Sequence, residues 1–239
     1  MKKIISIMML MIISLSVYAN DIYINQSGNA LDLDVTQDGQ NNTVGNSTTA
    51  SSVVGVTTNL AITQIGDSNV MTFDVNGATY TGTFSVTGNS NNIDFNCDST
   101  AGNSSCGTAT ASIVWVGSSN DIDIDIGETA SATSATVGIT GASGSDSNTI
   151  LGTIDGNSAI LTLSVNGDTN NFLVDIDGNG DSVGHTYIHT HTGSIADVDI
   201  TQSGIYDNMI TLTTSGDNAD IDIIPVSYTH LTLPTTSRV

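Results

Sequence analysis

The chain has 239 residues, with three Lys and Arg against 24 Asp and Glu, a formal net charge of −21. No Lys or Arg falls between Ile4 and Ser237. That argues against nucleic acid as a partner, because phosphate binding needs cations, and disfavours an anionic membrane surface on the same ground. It suits export into salt water or a cation-rich matrix, where screening is strong.

Lys2 and Lys3 precede an apolar run from Ile4 to Val17, and Val17-Tyr18-Ala19 has the small-residue pattern of a cleavage site. Residues 1–19 therefore read as a secretory signal peptide. The run is short of the ~20 residues a spanning helix needs, and no membrane insertion is expected after its removal. The expected location is extracellular or at the cell surface, reached through the periplasm.

From residue 20 onward glycines recur about every eleven residues, or a multiple of that. Alternating apolar residues lead up to most of them. Inward sets are Leu31, Leu33, Val35 and Gln37, then Leu60, Ile62 and Gln64, then Met71, Phe73 and Val75. Phe84 and Val86 follow, then Ile113 and Trp115, then Leu161, Leu163 and Val165. Phe172, Val174 and Ile176, and finally Val198, Ile200 and Gln202, close the series. Period two with one apolar face predicts half-buried strands, and Gly with Asn or Asp supplies the turns. Helix signals are absent. The expected fold is all-β, a β-solenoid over residues 20–224. A 22-residue repeat built from two 11-residue half-repeats gives roughly nine two-strand rungs. Residues 46–57 and 98–107 break the rhythm and read as bulging loops, and 131–147 is also less regular. A sandwich of short strands is the competing all-β reading.

Within this frame Gln recurs two residues before glycine, at Gln26, Gln37, Gln64 and Gln202. A buried amide is costly unless it is paired, and stacked rungs allow amides to bond along the axis. Cys97 and Cys106 flank the polar loop CDSTAGNSSC. In an exported protein they are expected to pair, contributing roughly 2–3 kcal/mol.

Asp121, Asp123 and Asp125 share one strand face, and Asp32/Asp34, Asp197/Asp199 and Asp220/Asp222 repeat the pattern. A solvated acidic face is the plain reading. In DIDGNGD, the residues Asp175, Asp177, Asn179 and Asp181 match the start of a calcium loop, although Thr186 stands where a bidentate Glu is expected. No resident cofactor is expected; Ca²⁺ is the one candidate ion, and divalent cations are candidate partners. His189 and His191 share an inward face with Tyr187, which fits hydrogen-bonded ladder residues better than a transition-metal pair. Catalysis finds no support. There is no G-x-S-x-G elbow and no cation to hold an oxyanion, so the chain is not read as an enzyme. The last stretch, residues 225–239, has two prolines and no glycine or acid. It reads as translated read-through rather than native sequence.

The phrase Q-x-G-x-x-N stands intact at Gln37-Gly39-Asn42 and Gln64-Gly66-Asn69, is stretched by one residue at Gln202-Gly204-Asn208, and is shortened at Gln26-Gly28-Asn29. Together with the signal peptide and the repeat length, this resembles the curlin repeat of bacterial curli fibres. The resemblance implies a secreted subunit that polymerises with itself into extracellular amyloid, its Gln and Asn side chains stacked in ladders, with roles in biofilm matrix or surface adhesion. Elsewhere the Gln position holds Val75, Val86, Trp115, Val165 or Ile176. A monomeric calcium-binding β-solenoid adhesin and a virion fibre or decoration protein are the alternative readings.

Overall fold

The computed structural model describes residues 21–39, 41–45, 50–66, 68–88, 90–97, 107–117, 119–127, 134–142, 147–167, 169–177, 185–193, 195–204, 208–226 and 229–232. Among these there is no helix, and so none long and apolar enough to cross a membrane. The strands are β1 (Asp21–Ile22), β2 (Asn25–Asp38), β3 (Thr43–Val44), β4 (Ser51–Ile65), β5 (Val70–Thr87) and β6 (Ser90–Cys97). They continue as β7 (Thr108–Val116), β8 (Ser119–Ile126), β9 (Ser134–Gly141), β10 (Ser147–Asp155), β11 (Ala159–Asn166) and β12 (Thr169–Asp177). The last are β13 (Thr186–Thr192), β14 (Ile195–Ser203), β15 (Asn208–Ser215), β16 (Ala219–Val226) and β17 (Thr229–Thr232).

All pairings are parallel, and each strand bonds mainly to the equivalent strand of the next turn. The protein is a parallel β-solenoid, as the repeat predicts, and its number of turns differs a little from the expected nine rungs. Each rung contributes one pass to each of two stacks. In the first stack the register runs Val44, Met71, Ile93, Ile122, Ile150, Phe172, Val198, Ile221. In the second it runs Leu33, Leu60, Gly82, Ala111, Val137, Leu161, Tyr187, Ile210.

The inner sides of the two stacks meet in one core. Phe73 and Phe95 of the first stack pack on Phe84 and Tyr80 of the second, at ring-centroid distances of 6.0, 5.7 and 4.9 Å. The inward sets read from the alternation are buried throughout, except Leu31, Leu33 and Val35 of the first rung, which are half-buried. A rung alone cannot cover its apolar face; its neighbours do so.

The repeat is looser than a strict 22 residues. Equivalent positions lie 22 apart between Asn69 and Asn91, but 27 apart between Gln37 and Gln64 and 29 apart between Asn91 and Asn120. In the 27-residue step the extra residues fall between Val44 and Ser51, within the first stack, since Val44 pairs with Met71 and Ser51 with Phe73. One expected bulge is corrected: from Ser51 onward the stretch 46–57 is strand, because Gly55 stacks between Gly28 and Gly77 where three long strands turn from one stack to the other. A Cβ at Gly77 would overlap the Gly55 carbonyl oxygen. In the less regular stretch 131–147, β9 spans Ser134–Gly141. The expected boundary at 224 is crossed by β16 and by β17, which pairs with β15.

Candidate functional site

The most distinctive internal feature is an amide column at one corner. Gly39, Gly66 and Gly117 hold φ of 153°, 148° and 158°, and a Cβ at Gly66 would overlap the Gly39 carbonyl oxygen. Only glycine lets successive corners stack so closely. Three residues after each glycine an Asn turns inward. Asn69 Nδ2 donates to Asn42 Oδ1 at 2.8 Å, Asn91 Nδ2 to Asn69 Oδ1 at 2.5 Å, and Asn120 Nδ2 to Asn91 Oδ1. Farther on, Asn148 Nδ2 donates to Asn170 Oδ1 at 2.6 Å. All six side chains are buried. Beside this column Gln64 Nε2 donates to Gln37 Oε1 at 2.7 Å; Gln37 Nε2 also donates to Thr43 O, and Gln64 Nε2 to Val70 O.

The named ladder residues therefore do not form one set. Gln37 and Gln64 pair, and Asn42 and Asn69 pair. Gln26 and Gln202 lie in the first stack, in the column through Val53, Val75, Cys97, Ile126, Ile154 and Ile176. Gln202 is buried, and neither of its amide atoms has a partner among the described residues. Asn208 sits at the corner opposite the Asn column, where its Oδ1 accepts from the His185 backbone N–H at 3.3 Å. The Gln202 phrase falls in the other half-repeat, which puts this Asn at the other corner.

Asn91, Asn120, Asn148 and Asn170 escaped the sequence reading, which required Gln before glycine. The simpler signal is Asn three residues after glycine, as in Gly88-Asn89-Ser90-Asn91, Gly117-Ser118-Ser119-Asn120 and Gly167-Asp168-Thr169-Asn170. In place of further Gln, the column of Gln37 and Gln64 continues through Val86, Trp115, Gly141, Val165 and His191.

His191 thus stands where the inward Gln residues stand, and Asn170 Nδ2 lies 2.7 Å from its Nε2. His189 Nδ1 lies 3.0 Å from the Tyr187 hydroxyl, and its ring meets Phe172 edge-on at 4.5 Å. Burial, with the nearby His191 second, pulls the His189 pKa down to about 3. Burial pushes the Tyr187 phenol up. Both are neutral core groups.

The outer side of the first stack is acidic. Asp94 stacks on Asp123, Asp155 on Asp177, Asp197 on Asp220 and Asp199 on Asp222. Partial burial raises the Asp94 carboxyl, helped by Asp125 and Asp121, and raises Asp175, helped by Asp177 and Asp155. Of the calcium-loop candidates, Asp175 and Asp177 flank the inward Ile176 on this outer side, with Ser203 Oγ donating to Asp177 Oδ1. Asn179 and Asp181 lie outside the described residues. Among the described residues no group of three or more His, Cys, Asp or Glu side chains is placed to hold a metal ion. Cys97 is buried and disulfide-bonded; Cys106, the other cysteine, lies outside the described residues.

The chain matches no family model, no curated protein and no solved structure.

Proposed function

We propose that the chain is a secreted structural or adhesive subunit, curlin-like in its repeat, whose partner is a second copy added end to end to form an extracellular, amyloid-like fibre. The observation that carries this reading is the open edge of the first rung, where β2 pairs with β4 on one side only among the described residues. Half-buried Ile24, Leu31, Leu33 and Val35 lie beside it. A further in-register strand would pair with β2 and cover the apolar row.

Charge sets the condition for assembly. Stacked carboxylates about 5 Å apart repel by somewhat under 1 kcal/mol per pair in water, and divalent cations between them would remove that term. Purified mature protein is therefore expected to stay dispersed at low salt and to give fibres in electron micrographs, with a rise in thioflavin fluorescence, once Ca²⁺ or seawater-like salt is added. Absence of fibres at every salt level would sink the reading. The acidic columns favour one second reading, a monomeric calcium-binding adhesin. Saturable Ca²⁺ binding by calorimetry without fibres would select it.

A further inference from the structure

The two outer sides of the solenoid differ in kind. The first stack presents its Asp columns. From Thr79 in β5 through β7, β9, β11, β13 and β15, the outward positions of the second stack carry no charged and no aromatic residue. Most are Thr or Ser. Thr81, Thr110 and Thr136 stack in register and are exposed, and Thr190 stacks on Thr213 in another column. On a chain of net charge −21, so extended an uncharged area needs an explanation.

We propose that this face is an ice-binding surface, its ligand the ordered oxygen lattice at the face of an ice crystal. Parallel strands space the hydroxyls about 4.8 Å apart along the axis, and alternation spaces them about 6.7 Å apart along each strand. These two repeats are of the order of the oxygen spacings on a prism plane of ice. Threonine is stiff at χ1, so its methyl and hydroxyl are fixed before contact, and the amide column inside holds the rung spacing. Other occupants fit less well. Protein interfaces draw on aromatic and Arg anchors and under-use Thr and Ser. Polyanions need cations. A crystalline sugar surface would want aromatic rings to stack on. The apolar interruptions, Val114 and Ile160 among them, are uncharged and leave the water beside them ordered. The proposal stands apart from self-assembly, since monomer and fibre expose the same face.

The test is partition of fluorescently labelled full-length protein into a slowly growing ice hemisphere, together with thermal hysteresis. The expected result is incorporation into ice, lost in Thr110→Tyr and Thr140→Tyr, which raise bulk above the array, and kept in Thr149→Tyr on the acidic side. Circular dichroism establishes that each variant keeps its strands. Exclusion of the folded parent protein from ice overturns the proposal. So does equal incorporation of all variants, or capture of the parent by crystalline cellulose or chitin but not by ice.

Discussion

Trp115 donates its indole N–H to Asn148 Oδ1 at 3.0 Å, and that bond reverses the amide column. Up to Asn120 each amide donates to the rung before it; Asn148 donates to the rung after it. The reversal leaves Asn120 Oδ1 without a donor among the described residues. The indole fits because the next residue in its column is Gly141, where a Cβ would come within 2.5 Å of the ring.

Trp115→Phe removes the donor and leaves a space, and is expected to cost about 1–3 kcal/mol. Gly141→Ala crowds the ring, at about 1–3 kcal/mol. Combined, the two should cost less than their sum, because the smaller ring frees the space that alanine takes. Urea titration of the four proteins measures the coupling; strict additivity would mean the two sites do not touch.

Asn91→Leu cuts the column at its centre. It strands Asn120 Nδ2 and Asn69 Oδ1 in the core, each at about 1–3 kcal/mol. Asn29→Leu, outside the column, should change stability far less. The comparison by thermal unfolding separates loss of the ladder from loss of a polar residue in general.

Gln202 offers the opposite sign. Its amide is buried beside Ile176 with no partner among the described residues, so Gln202→Ile should stabilise by about 1–3 kcal/mol. An unchanged or lower midpoint in urea would mean the amide is satisfied in solution.

His189 gives a pH dependence. With its folded pKa at about 3 and an unfolded value near 6.5, the unfolded chain binds the extra proton between these limits. Stability is then full above about pH 6.5 and falls as the pH drops toward 3, by at most about 1.4 kcal/mol per unit. The groups facing it are Tyr187, His191 and the Phe172 ring. Asp94 and Asp175, raised in the folded protein, act with the opposite sign, gaining stability as the pH falls through their folded pKa toward the usual carboxylate value. The double variant His189→Leu/Tyr187→Phe removes the imidazole and its hydroxyl partner together. Its stability should fall less steeply over this window, as read by urea titrations from pH 7 to pH 4.

The strand pattern was legible because burial on one face writes period two directly into the residues: Phe73, Ile113 and Leu163 point inward whatever their partners are. The corner Asn residues were half legible, since Asn42 and Asn69 follow a Gln-containing phrase while Asn120 and Asn148 do not. The placement of Gln202 and Asn208 was not legible, because two half-repeats of similar length look alike in one dimension and belong to different stacks in three.

By itself the sequence determined an all-β chain of stacked rungs, since alternation and glycine spacing are local properties that each segment carries alone. Only the tertiary structure decided which side chains share a column, where Trp115 turns the amides round, and that from Thr79 onward the outward positions of the second stack carry no charge. Those outcomes depend on where the extra residues fall between strands, and a loop of variable length hides which positions of successive rungs align without changing the pattern inside any strand.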